Sequence, residues 1–153
     1  MGDNQCNEPQ MIICEGDDDS ALYVKKRLRE YNMQKVPLDG ILALEPLNIV
    51  LKDSAGNIAG GINANTINYW GKCRVDIFWI DEKYRGTGYG SKLLRRVEEI
   101  AMERGCTLIQ LDTYSFQAPE FYIKNGYKIF GVIENCPAGH SQYFLTKALQ
   151  KNV

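Results

Sequence analysis

The sequence predicts an α+β domain: a mixed, mostly antiparallel sheet of about six or seven strands, with a central parallel strand pair and helices on both faces. Three observations predict it. Strand-like runs come in consecutive pairs, LNIVLKD (47–53) with IAGGINANTINYW (58–70), and YKIFGVI (127–133) with SQYFLTK (141–147), as antiparallel hairpins require. Between the pairs lie KCRVDIFWI (72–80), a glycine-rich loop, an amphipathic helix and CTLIQLDT (106–113). Such a strand–helix–strand unit makes its two strands parallel, with a right-handed crossover. The 153 residues, 44% hydrophobic and 24% charged, suit one globular domain.

Taken in chain order, residues 1–9 read as a disordered lead-in and residues 10–150 as the domain. QMIIC (10–14) is expected as a first short strand. Asp18, Asp19 and Ser20 precede ALYVKKRLREYN, where Val24, Leu28 and Tyr31 fall on one helical face and the acids suit a positive helix N-terminus. Pro37 and Gly40 punctuate a less regular stretch, read as a short second helix. The first hairpin turns at Ser54-Ala55-Gly56-Asn57, and Gly71 leads into the next strand. After the glycine loop, Leu93, Leu94, Val97, Ile100 and Ala101 form a helical stripe that Gly105 terminates. APEFYIKNG (118–126) is a short helix with Pro119 in its first turn, where proline is tolerated.

A net charge of −1 gives no basis for a nucleic-acid or membrane-surface partner. No apolar run approaches the roughly 20 residues that span a bilayer. MGDNQCNEPQ lacks the basic start and apolar core of a signal peptide. Five cysteines, an odd count with no C-x-x-C pair, and a single histidine argue against a zinc site and a disulfide framework. Free thiols and a cytoplasmic location are the expectation.

The chemistry is concentrated in DEKYRGTGYGSKLL (81–94). A helix N-terminus presents unpaired N–H groups and partial positive charge, and glycines remove the Cβ atoms that would hold an anion away. Together they make a phosphate or pyrophosphate site. The spacing is not a Walker loop, since Ser91 and Lys92 follow Gly90 in the wrong order. It is not a dinucleotide fingerprint either, since Gly86-x-Gly88-x-x-Ser91 misses its last position.

What remains, Arg85-x-x-Gly88-x-Gly90, resembles the R/Q-x-x-G-x-G/A signature of the GNAT superfamily of N-acetyltransferases. APEFYIKNGYKIFG resembles that family's later signature, a helix carrying tyrosine that ends in Gly-Phe. The resemblance covers roughly residues 47–147. It implies acetyl-CoA as co-substrate, with no metal, and transfer of an acetyl group to a primary amine by direct attack in a ternary complex. A small-molecule amine is favoured, and a protein amino group is the other acceptor. A non-catalytic acyl-CoA-binding sensor or regulatory module is the competing reading, against which the retained Tyr122 weighs.

Carried onto this chain, the resemblance implies that Phe78, Trp79 and Ile80 pair with the pantetheine arm. Arg85, Gly86, Thr87, Gly88, Tyr89, Gly90 and Ser91 would form the pyrophosphate loop, and Tyr122 would stand near the coenzyme sulfur as proton donor. Three positions depart from the family pattern. Tyr127 replaces the usual phenylalanine, Ser115 stands where an asparagine often meets the coenzyme, and Arg74 falls at or near the common strand glutamate.

An alkylammonium has a pKa near 10, so a base must take a proton at neutral pH. Asp76 is one candidate; by strand alternation it shares a face with Arg74, so an ordinary ion pair is the other reading. His140 is the second candidate, in the loop before the last strand that borders the acceptor site in similar proteins. Phe116 and Trp79 are assigned to the acceptor pocket. Cys73 and Cys106 lie in strand-like runs as small hydrophobes rather than nucleophiles. Exposed strands near the C-terminus make a homodimer an expectation.

Overall fold

A computed structural model describes residues 11–36 and 44–150. The chain forms two compact units, residues 1–39 and 40–153. In the first, helix α1 (Asp18–Lys35) begins at Asp17, whose carboxylate accepts hydrogen bonds from the Ser20 amide at 2.9 Å and the Ser20 hydroxyl at 2.5 Å. These bonds, the hydroxyl's first, hold the Asp17 carboxyl below its ordinary pKa. Asp18 and Asp19 in the first turn and Lys35 in the last complement the helix dipole. The strand expected at 10–14 is not formed: residues 11–14 join no sheet among the described residues. A segment that short has no ladder to satisfy its backbone or fix its register. The short helix expected around Pro37 and Gly40 lies outside the described residues.

The second unit is built on a six-stranded sheet among the described residues, in the order β1-β2-β3-β4-β6-β5. Its strands are β1 (Leu44–Lys52), β2 (Ile58–Ile67), β3 (Lys72–Ile80), β4 (Leu108–Tyr114), β5 (Lys128–Ile133) and β6 (Gln142–Ala148). The β3–β4 pair is parallel and every other pair is antiparallel, so the mixed sheet with a central parallel pair is present. Asp53 closes the β1–β2 turn by accepting from the Ala55 and Asn57 amides, each at 2.9 Å. The second strand stops earlier than its sequence suggests: Asn68–Trp70 form a 3-10 turn rather than strand, and Gly71 leaves it in a left-handed conformation.

Two features of β3 shape the molecule. It pairs with β4 only at Lys72, Cys73 and Arg74. Its antiparallel register with β2 then slips: Val75 faces Ala64 and Ile77 faces Asn63, leaving Asp76 as the extra residue of a bulge. The bulge changes which residues face the core. Cys73 and Val75 are buried before it, whereas Phe78 and Ile80 turn inward after it. The crossover helix α2 (Tyr89–Glu103) lays Leu93, Leu94, Val97 and Ala101 into a core with Leu47, Ile62, Ala64, Ile109, Leu111 and Leu145. Packing of this apolar stripe, more than local propensity, fixes the helix on the sheet.

Both later helices end in the same way. At the end of α2, the Cys106 amide bonds to the Ala101 carbonyl at 2.8 Å and the Gly105 amide to Met102 at 3.0 Å. At the end of α3 (Pro119–Lys124), the Tyr127 amide bonds to the Tyr122 carbonyl at 3.0 Å and the Gly126 amide to Ile123 at 3.0 Å. These are Schellman motifs, with Gly126 at φ +88° supplying the left-handed residue. The sequence spacing Tyr122-x-x-x-Gly126-Tyr127 is therefore a helix stop, and it brings the two tyrosine rings together at 5.9 Å.

One polar group sits inside the helical stripe. Glu98 on α2 is 8% exposed and accepts from the Tyr127 hydroxyl at 2.9 Å and the Lys147 ammonium of β6 at 2.7 Å. A buried carboxylate is tolerable only with such partners. Burial first, and then the negative Glu98, push the Tyr127 phenol above its ordinary pKa. Tyr127→Phe removes a hydrogen bond to a charged group and should cost about 1.5–3 kcal/mol at pH 7 in a denaturant titration. The folded state holds the Tyr127 proton more tightly than the unfolded state, so wild-type stability falls as pH rises past about 10. The deficit of the phenylalanine variant should therefore shrink above that pH.

Candidate active site

The loop between β3 and α2 starts at Asp81, whose carboxylate accepts from the Lys83 amide at 3.1 Å and opens a 3-10 turn at Glu82–Tyr84. Arg85 reaches back, its Nε donating to the Ile80 carbonyl at 3.0 Å. The Thr87 hydroxyl donates to the Tyr84 carbonyl at 2.6 Å. These contacts hold the loop compact without using its later amides.

Gly86 and Gly88 adopt φ of +74° and +85°, a region that L side chains rarely enter, and a Cβ at either would face open space. Gly90 is needed for a different reason. A Cβ there would lie 3.1 Å from Cε2 of Phe121, so glycine lets the start of α2 approach α3. No side chain caps α2, and among the described residues the amides of Gly86 to Ser91 find no acceptor. Six unpaired N–H groups at a helix N-terminus, with open space before the two glycines, fit the pyrophosphate of coenzyme A.

Beside the loop, Phe78, Trp79 and Ile80 pair with Ile62, Gly61 and Gly60 of β2, but β4 no longer accompanies their other edge. Among the described residues that edge is free to pair with an extended amide-bearing chain, as a pantetheine arm is. Phe78 packs edge-on against Phe121 at 5.6 Å and Tyr122 at 6.2 Å, while Trp79 is half-exposed on the opposite side of the strand.

Tyr122 is 8% exposed; among the described residues its hydroxyl makes no hydrogen bond, and since no fully inaccessible side-chain oxygen there lacks a partner, the hydroxyl itself stays open to solvent. Burial first, with a smaller contribution from the Asp112 charge, raises its pKa to about 12. The phenol is therefore fully protonated at neutral pH, the state a proton donor needs. Asp112 itself accepts from the Gln142 side chain at 2.7 Å.

Asp76, at the bulge, pairs with Arg74 at 3.0 Å and accepts from the side-chain nitrogen Nδ2 of Asn65 at 2.6 Å. The anticipated ion pair with Arg74 is formed, and Asn65 is an additional partner that sequence gave no reason to expect. The carboxylate is partly exposed, on the outward face of the strand rather than the core side that carries Phe78.

Three residues named from sequence come together in the loops after β4 and before β6. The Ser115 hydroxyl lies 3.3 Å from Nδ1 of His140 and accepts from the Ser141 amide at 3.2 Å. Phe116 meets the His140 ring edge-on at 4.9 Å and stacks on Tyr114 at 5.3 Å, with 5° between the planes. Phe116 is exposed, so this is an open aromatic surface with an imidazole at its edge. Gln117 supports it by accepting from the Thr113 hydroxyl and the Tyr114 amide, both at 3.0 Å. Its role was not apparent in the sequence, where only the polar turn after a strand hinted at a cap.

Burial raises the Cys73 thiol to about 12 and lifts Cys106 as well, so neither supplies a thiolate at neutral pH. Among the described residues no cluster of metal-binding side chains occurs, and no helix is long and apolar enough to cross a membrane.

Comparison with known proteins identifies the family of the chain. The chain is 39% identical over 95 residues to the blasticidin-S acetyltransferase of Streptomyces morookaense, covering 61% of this chain and 68% of the relative. A crystal structure of an acetyltransferase from Bacillus cereus superposes with a TM-score of 0.81 at 41% identity, over 91% of this chain and 98% of that one. An aminoglycoside 6'-N-acetyltransferase crystallised with coenzyme A shares the fold at 20% identity, with a TM-score of 0.61 over 94% of this chain and 99% of its own. The model of the acetyltransferase (GNAT) family matches residues 16–127, and the chain belongs to that family.

Proposed function

We propose that the protein transfers the acetyl group of acetyl-CoA to a primary amine of a small molecule, by direct attack within a ternary complex. The observation that carries this reading is the run of six amides from Gly86 to Ser91 that are unpaired among the described residues, next to the edge of β3 that β4 leaves open. An anion and an extended amide chain are what those two features suit, and acetyl-CoA supplies both together with an activated acyl group. The blasticidin-S relative supports a polar small molecule as acceptor.

The chain's own residues divide the work. The loop amides bind the pyrophosphate. The open edge of β3, at Phe78–Ile80, orients the arm and presents N–H groups that can polarise the thioester carbonyl. Tyr122, protonated and buried, donates its proton to the departing sulfur. The amine must lose a proton before or during attack, and either Asp76 or His140 receives it, directly or through water. Asp76 also offers negative charge to an incoming ammonium. The stacked Tyr114 and Phe116, with His140 at their edge, give the acceptor a flat surface to rest on.

Thermal unfolding with acetyl-CoA, CoA, ATP and NAD tests the coenzyme assignment. Acetyl-CoA and CoA at about 100 times their dissociation constants should add about 2.7 kcal/mol, whereas ATP and NAD should not. A shift with ATP or NAD alone would overturn the reading. Gly88→Ala should unfold about 1 kcal/mol more easily without ligand, because alanine is strained at this φ, and should show a smaller coenzyme shift.

Tyr122→Phe should slow CoA release in a panel of amines, blasticidin S among them, by roughly 100-fold or more, while the acetyl-CoA thermal shift stays intact. Unaltered turnover would remove Tyr122 from the chemistry.

A further inference from the structure

Among the described residues Tyr122 has no hydrogen bond of its own to fix its hydroxyl, so its ring must be placed by what surrounds it. One neighbour is Tyr127, edge-on at 5.9 Å, tied to Tyr122 through the backbone bond that closes α3. Tyr127 is in turn gripped from two other elements. Its hydroxyl donates to Glu98 of α2 at 2.9 Å, and the Lys147 ammonium of β6 sits over its ring at 5.5 Å while also donating to Glu98 at 2.7 Å. The hydroxyl that distinguishes Tyr127 from the family's usual phenylalanine is thus the centre of a buried contact between three elements.

We propose that Glu98, Tyr127 and Lys147 act as positioning residues for Tyr122, fixing the phenol that serves the leaving sulfur. The inference rests on the reading of Tyr122 as the proton donor. The physical reason is geometric. Tyr127 is 2% exposed, so its ring cannot shift without breaking a charged hydrogen bond inside the core. Phe78 and Phe121 close two further sides of Tyr122, at 6.2 and 5.1 Å between ring centres. Apolar rings alone leave rotational and sliding freedom. The Glu98–Tyr127 bond removes it from the side where the short helix α3 ends.

The test uses the whole chain labelled with ¹³Cζ-tyrosine. Of its nine tyrosines, Tyr122 is assigned as the signal lost in Tyr122→Phe. Tyr127→Phe should move or broaden that signal, and Glu98→Leu should do the same. Glu98→Gln, which keeps an acceptor for Tyr127, should largely restore it. In parallel, CoA release from acetyl-CoA is followed with the amine panel and with water alone. Tyr127→Phe should slow it roughly threefold to tenfold with an unchanged KM for acetyl-CoA, and should add nothing when Tyr122 is already phenylalanine.

A Tyr122 signal untouched by Tyr127→Phe overturns the proposal, as does equal slowing in both backgrounds. If Glu98→Leu does not fold, the Tyr127→Phe spectrum decides. A displaced signal together with wild-type turnover in Tyr122→Phe would leave the positioning intact and remove the acid role instead.

Discussion

The fold and the site both depend on how soon β3 and β4 part company. Three residue pairs hold them in parallel; beyond Arg74, β3 keeps only β2 as a neighbour and β4 only β6. Fuller pairing would make a more complete sheet, but it would close the edge of β3 beside the glycine loop. The bulge at Asp76 lies just beyond the last of these pairs. An extra residue on β3 bends the strand, increases its twist and moves the inward alternation onto Phe78 and Ile80. With this shift, Phe78 can meet Phe121 and Tyr122, and the end of the strand is tied to α3.

The energetics are arranged around that opening. Apolar packing under α2 carries the stability, through residues that are essentially inaccessible such as Val97, Ala101 and Ile109. Polar bonds fix the ends. Arg104 at the end of α2 donates to the carbonyl of Pro46 at 3.1 Å and to the buried Thr66 hydroxyl at 3.2 Å, tying the helix to β1 and β2. Glu98 does the equivalent toward β6. The N-terminal end of α2 is the exception, for it is left without a capping side chain. A helix so well held elsewhere can tolerate that end being organised for a ligand.

Much of this was legible in the sequence because the signals were local. The β3 boundaries, the stripe of α2 and the two later helix stops follow from alternation, periodicity and glycine placement. What was not legible needed knowledge of neighbours. Nothing in the spacing of RVDIFWI tells that Asp76 is a bulge, because the slip is set by β2. Tyr69 and Trp70 have strand propensity, yet Gly71 and the bonds its carbonyl accepts from Thr107 and Leu108, at 2.7 and 3.1 Å, turn the chain there. The meeting of Ser115, Phe116 and His140 joins loops far apart in the chain. Glu98 reads as a surface residue until Tyr127 and Lys147 are seen beside it, although its place next to Val97 in the stripe was a clue. The three glycines were one motif in sequence and prove to answer two separate needs, backbone conformation at Gly86 and Gly88 and clearance at Gly90.

The brace from Arg85 to the Ile80 carbonyl bears on how the loop's signature should be understood. The bond uses Nε, the nitrogen nearest the backbone, and not the outer pair of the guanidinium. A glutamine carries its amide nitrogen the same number of bonds from Cα, with the same planar N–H. The interchange of arginine and glutamine at this position in the family's signature therefore preserves the reach of a donor and discards the charge. On this view a lysine, similar in charge but lacking a donor at that distance, is the less conservative replacement of the two.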